Sequence, residues 1–187
     1  MELSNQQPLP IQPLQAWEAL NDIELLRQAI PGCENITQTG ENAYELVVAA
    51  AIGPVKAKFK GKLQLLDINP PESYTMRFDG QGGAAGFGKG NAKVRLEAAS
   101  DGTTILHYIA DAQVGGKIAQ VGSRLVEMAA NKMAQDFFAK FEKVVLEKYP
   151  RVIVEVPPAT PEPAPQAVRP GFFSRLLAAL RRILGLG

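Results

Sequence analysis

The 187-residue sequence holds one cysteine and one histidine. A single thiol rules out a disulfide framework and any Cys-rich zinc centre. A single imidazole, His107, rules out a histidine-cluster metal site. Charge of one sign is missing too: 20 Lys plus Arg against 19 Asp plus Glu leave a net of +1, so nothing in the overall charge draws the chain to nucleic acid. No run approaches the roughly 20 apolar residues of a membrane-spanning helix. The opening MELSNQQPLPIQPLQAW lacks the basic start and apolar core of a signal peptide, so the expectation is a reduced, cytoplasmic protein. With 46% hydrophobic residues the chain is too apolar for wholesale disorder. It suits one domain of about 150 residues plus an appendage.

What charge there is lies unevenly. Residues 150–187 carry five Arg and two acids, and from Arg169 to Gly187 there are four Arg and no acid. Residues 1–149 are mildly acidic in balance. The same boundary shows in proline, with seven between Pro150 and Pro170. Such a stretch cannot hold a helix or donate a full β ladder and reads as an extended linker of at most roughly 65 Å. Three segments are therefore expected: a folded domain at 1–149, a Pro-rich linker at 150–170, and a basic appendage at 171–187.

Within the domain, Glu2–Leu9 alternates like a strand. Pro13 opens a short helix through Leu14, Trp17 and Leu20. Asp22 caps a second one that ends at Pro31-Gly32. Five strand-like runs follow at 43–53, 54–68, 72–80, 88–100 and 103–112, separated by Gly, Pro and Asp-Gly turn signals. A helical pattern from about Lys117 to Lys148 closes the domain. The order β-α-α-β-β-β-β-β-α predicts an α+β fold, a largely antiparallel meander gripping one long helix.

The run 54–68 alternates cleanly, with Val55, Ala57, Phe59, Gly61, Leu63 and Leu65 on one face and Lys56, Lys58, Lys60 and Lys62 on the other. The lysine stripe reads as a solvated face that discourages edge pairing, or as a docking face for an acidic partner or anionic lipid. Small residues occur on both the sheet face and the helix. They either let the elements pack close or leave a void fit for an apolar ligand. By strand and helix phase, the wall of such a cavity would comprise Phe59, Leu63, Met76, Phe78, Val121, Leu125, Met128 and Phe137. His107 is either a satisfied sheet histidine or a hydrogen-bond donor to a ligand. Cys33 reads as a structural thiol, and Tyr44, Tyr74, Tyr108 and Arg77 are polar candidates without a pattern. No nucleophile and base are suitably spaced, so no catalytic residues are assigned.

Gly83 to Gly90 matches the first seven positions of a phosphate loop. The eighth position is Gly90 instead of Ser or Thr, and a strand pattern follows where a helix is needed. A glycine hairpin at a cavity mouth is the better reading, with Gly82, Gly83, Gly86, Phe87 and Gly88 as a gate. In FFSRLLAALRRIL (172–184), Phe172, Phe173, Leu176, Leu177, Leu180, Ile183 and Leu184 fall within about 140° of arc, opposite Arg175, Arg181 and Arg182. A helix this short forms only on a surface: an anionic membrane, a partner's groove, or its own domain. The membrane reading is preferred.

The runs PIQPLQAWEALNDIELLRQAIPGCENI, Ile52-Gly53-Pro54, GQGGAAGFGKG and VGGKIAQVGSRLVEMAANKMAQDFFAKF together resemble the carbon monoxide dehydrogenase G-subunit family, in order, over nearly all of residues 1–147. That family belongs to the START-like, helix-grip SRPBCC superfamily. The resemblance implies a seven-stranded antiparallel sheet wrapped round a long C-terminal helix and enclosing a hydrophobic cavity. It also implies a non-catalytic accessory protein of molybdenum-copper carbon monoxide dehydrogenase, or of a related molybdenum hydroxylase. The cavity ligand would be an isoprenoid quinone, menaquinone or ubiquinone, and the protein would sit on the inner face of the cell membrane. A polyketide cyclase-like enzyme and an assembly chaperone with an empty cavity are the alternatives.

Overall fold

The structure is a computed structural model that describes residues 1–150. The linker from residue 151 onward and the segment 171–187, with the residues expected to meet a membrane, lie outside the described residues.

The alternation of 54–68 becomes a long strand. Together with its neighbours it gives seven strands: β1 (Glu2–Leu9), β2 (Cys33–Gly40), β3 (Ala43–Ile52), β4 (Val55–Asn69), β5 (Ser73–Gln81), β6 (Phe87–Ala98) and β7 (Thr104–Gly115). They form one antiparallel sheet in the order β1-β7-β6-β5-β4-β3-β2. Helices α1 (Pro13–Leu20) and α2 (Ile23–Ala29) follow β1, and α3 (Lys117–Gln120) and α4 (Ser123–Lys148) follow β7. The fold is the expected α+β helix-grip.

Two elements depart from the residue pattern. Strand β2 adds to the strands expected from alternation, because its sequence CENITQTG buries only Ile36. It is an edge strand with a single neighbour, so it needs no alternating apolar face. The single helix expected over 117–148 is broken: Gly122 at φ 96° separates α3 from α4. That conformation is open to glycine and costly for other residues, and it resets the helical phase beyond it.

The tight core lies at one end. Phe141 and Val145 of α4, at 0% and 1% exposure, pack with Ala16, Ala19, Leu25 and Ala29 of α1 and α2 and with Leu96 and Leu106 of the sheet. Alanines on the two short helices let α4 approach closely. Buried Thr104 donates its Oγ1 hydrogen to the Ile11 carbonyl at 2.7 Å, satisfying a backbone group where β1 leads into α1.

Asp22 joins this end together. Its Oδ1 accepts hydrogen bonds from the Glu24 and Leu25 amides at 2.9 and 3.2 Å, capping α2. Its Oδ2 accepts from Lys148 Nζ at 2.7 Å, in the last turn of α4. The Lys148 contact, with help from the amides, holds the Asp22 carboxyl below its ordinary value of 3.8. The ionised form therefore favours the fold. Its contribution is complete above that pH and fades as pH falls through the lowered value. Asp22→Ala should cost about 1 kcal/mol by urea unfolding at neutral pH. The gap to wild type should narrow as the titration is moved below pH 3.8, and a gap of constant size would show that the carboxylate's charge contributes nothing.

Candidate functional site: an apolar cavity between sheet and helix

Away from the tight end, α4 stands off the curved sheet. A cavity of about 480 Å³ lies between them, within the range of small-molecule sites. Strands β4 and β5 supply Leu63, Leu65, Met76 and Phe78 to its wall, and α4 supplies Ala130, Met133, Ala134, Phe137 and Phe138. Leu20 at the end of α1 and Asn21 just after it, with Leu26, Ile30 and Pro31 at α2, close one end. A second lobe of about 340 Å³ adjoins it and shares Ile30, Leu46, Leu63, Phe78, Ala130 and Met133. Val48, Ala50, Ile52, Phe59 and Ile118 also line that lobe. Short alanine side chains on the helix are what keep these spaces open.

The wall of the main chamber carries no Lys, Arg, His, Asp or Glu. Its polar side chains are Asn21, Tyr44, Tyr74 and Tyr108. Asn21 Nδ2 donates to the Trp17 carbonyl at 2.8 Å. Burial pushes the Tyr74 phenol far above its usual value, and Tyr44 nearby adds to the shift. Tyr74 is therefore a neutral hydroxyl at any physiological pH. A wider concavity of about 650 Å³ around Thr37, Thr39, Lys60 and Lys62 lies on the opposite, outer face of the sheet and is lined mainly by polar and charged residues.

Of the expected wall residues, Leu63, Met76, Phe78 and Phe137 face the main chamber and Phe59 the smaller lobe. Four residues require correction. Leu125 and Met128 are 43% and 60% exposed. The phase reset at Gly122 turns Val126, Ala129 and Ala130 inward in their place. Val121 ends α3 beside the break and lines neither lobe. His107 points to the outer face, with Nε2 at 3.3 Å from Glu97 Oε2, because Leu106, Tyr108 and Ala110 take the inward positions of β7. A strand apolar on both faces allows either phase, and the wrong choice flips every side chain.

The glycine segment holds a 3₁₀ turn, Gly83–Ala85, with Ala85 buried. The Gly82 amide donates to the Gly86 carbonyl at 2.7 Å. A side chain on Gly86, at φ 114°, would strike the Gly115 carbonyl, and one on Gly82 would strike the Phe59 ring. These glycines allow close packing against β7 and Phe59. Gly88 borders the smaller lobe, while Phe87 lies under Lys89 Nζ, 5.8 Å from its ring centroid. Cys33 is half-buried, its thiol raised by burial, and lines neither lobe. The tyrosines and Asn21, which show no pattern in the sequence, are the polar groups the fold gathers. Among the described residues no three His, Cys, Asp or Glu side chains are placed to hold a metal ion, and no helix is long and apolar enough to cross a membrane.

The family model for the carbon monoxide dehydrogenase G-subunit (CoxG) matches residues 8–146. Among solved structures, a conserved protein from Geobacillus kaustophilus is 30% identical, with a TM-score of 0.75 over 79% of this chain and 97% of that one. A START superfamily protein from Mycobacterium smegmatis is 14% identical, with a TM-score of 0.61 over 79% and 98% of the two chains. A protein from Thermus thermophilus is also 14% identical, with a TM-score of 0.60 over 79% and 99%. The last two share the fold alone. Among curated proteins no sequence matches the chain.

Because Ala134 faces the void, Ala134→Phe should occupy it and lower the affinity for the apolar dye N-phenyl-1-naphthylamine at least about tenfold, with the circular dichroism spectrum unchanged. Leu125→Trp, on the exposed face, should alter neither. Unfolding of the Ala134→Phe protein would mean that the site is close-packed core.

Proposed function

The chain belongs to the carbon monoxide dehydrogenase G-subunit family, and from that premise we propose that it is a non-catalytic accessory protein carrying a respiratory quinone. The partner is a molybdenum-copper carbon monoxide dehydrogenase or a related molybdenum hydroxylase. The quinone, menaquinone or ubiquinone, occupies the interior cavity, and the protein works at the inner face of the cell membrane, between the soluble enzyme and the respiratory chain.

The observation that carries this reading is the character of the chamber wall: apolar over nearly its whole extent, with Asn21 and three tyrosines as its polar side chains and no Lys, Arg, His, Asp or Glu. Such a wall suits holding an apolar molecule by area burial, at roughly 25 cal/mol per Å². A cyclase-like enzyme needs a proton donor or acceptor tuned near the working pH, and the buried phenol of Tyr74 is tuned away from it. The basic, one-sided pattern of residues 172–184 supports the membrane half, since each Arg near an anionic surface contributes about 1 kcal/mol.

Two experiments test the two halves. Native mass spectrometry of the protein, purified from membranes rich in menaquinone or ubiquinone without delipidation, should show a bound isoprenoid quinone. An empty protein would favour the assembly chaperone and remove the carrier reading. Cosedimentation with anionic liposomes should be strong for the wild type and weak for the triple variant Arg175→Glu, Arg181→Glu and Arg182→Glu, with salt reducing the wild-type binding. Failure of the wild type to sediment, with capture of the dehydrogenase through residues 171–187, would make that segment a protein-docking peptide.

A further inference from the structure

Three phenols on the cavity wall have hydroxyls that no other described residue uses. Tyr44 on β3, Tyr74 on β5 and Tyr108 on β7 all line the main chamber. None of the three makes a side-chain hydrogen bond to another described residue. Tyr74 is the telling case, because it is only 8% exposed. Buried tyrosines ordinarily find a partner for the O–H. A hydroxyl that opens on the void, and is not sealed in the core, is available to a polar group that enters the chamber.

The fold clusters these groups toward one end. On the inner face Tyr74 and Tyr108 stand in one row across β5, β6 and β7, either side of Val94. Tyr44 lines the same chamber from β3. Two of the rings are held in place: Tyr74 meets Trp17 edge-on at 5.6 Å, and Tyr108 stacks on Phe138 at 5.7 Å. Asn21 closes the same end. Its amide nitrogen is committed to the Trp17 carbonyl, which leaves Oδ1 as an acceptor. The adjoining lobe beneath Phe59 and Ile118 offers hydrocarbon walls.

We infer that Tyr44, Tyr74 and Tyr108, with Asn21, form the seat for the oxygen-bearing ring of the ligand, whose hydrocarbon chain runs the other way into the lobe beneath Phe59 and Ile118. The inference rests on the cavity being the ligand site. A phenol both donates and accepts, so it can donate to a ring carbonyl or accept from a ring hydroxyl, and Asn21 Oδ1 accepts only. The seat thus takes the oxidised quinone and the reduced quinol alike. That is what a carrier exchanging one for the other needs, and no electron or proton has to move within the site.

The test uses the full chain and two probes of one shape, 2-methyl-1,4-naphthoquinone and 2-methylnaphthalene, which lacks the oxygens. Trp17 is the chain's single tryptophan and lies beside Tyr74, so a quinone ring in the seat should quench its fluorescence. Tyr74→Phe and Tyr44→Phe should each weaken the naphthoquinone roughly threefold to tenfold, as expected for one lost hydrogen bond, and leave methylnaphthalene binding unchanged. Equal losses for both probes would show a packing effect and overturn the seat. So would unaltered quinone affinity in the Tyr44→Phe, Tyr74→Phe, Tyr108→Phe triple variant, or quinone binding without quenching of Trp17. If the wild type binds neither probe, the cavity reading itself falls, an outcome distinct from the others.

Discussion

The long helix is held most tightly through its C-terminal half, against the two short helices, and the cavity lies beyond that anchor. Phe141 and Val145 are buried against alanines of the two short helices, and Lys148 is bonded to the residue that caps the second of them. This fixes the C-terminal half of α4. A twisted, curved seven-stranded sheet cannot follow a straight helix over its whole length, so the middle of the helix parts from it where no long side chains bridge the gap, although Val126 in the first turn is buried. Ala129, Ala130 and Ala134 do not bridge it. The void is thus the joint product of a tight anchor, a curved sheet and short side chains. It also explains why large apolar residues such as Leu63, Phe78 and Phe137 remain only partly buried in the middle of the protein.

The same geometry decides what can be read from the sequence. Strand β4 is legible because one face touches the interior and the other is a row of lysines, so Phe59 and Leu63 follow from alternation alone. Strand β7 is not: Ile105, His107 and Ile109 alternate as convincingly as Leu106, Tyr108 and Ala110, and only the packing selects the second set. The helix departs from its pattern at a single point. A continuous helix from Lys117 carries Leu125 and Met128 inward, whereas the positive φ of Gly122 starts a new helix with a different phase. The glycine is visible in the sequence, six residues beyond Gly116, but its φ is not, since glycine tolerates both signs.

The tyrosines show a different limit. Tyr44, Tyr74 and Tyr108 stand 30 or more positions apart on three strands, with no local motif to join them. Sheet register makes Tyr74 and Tyr108 neighbours across Val94, and register is a property of the whole meander, not of any window in it. Strand β2 is hidden for the opposite reason: it buries one residue, too little to leave a pattern.

A neutral polar seat in an apolar chamber has an energetic logic that an ionised one would lack. Bringing a carboxylate or ammonium into this wall would cost several kcal/mol in desolvation, and the charge would draw water into an apolar chamber. A phenol avoids both, and burial at Tyr74 strengthens its neutrality by raising its ionisation range further. In the proposed seat each phenol would contribute about 1 kcal/mol of net hydrogen bonding, enough to orient a ring but little beside the area term of a long apolar chain. Affinity would then come from the chain and orientation from the head. In the proposed carrier that division matters, because a ligand held by buried area is released most readily to another apolar phase. The partner phase for such an exchange is a bilayer, and a one-sided basic segment beyond the domain would keep it within reach.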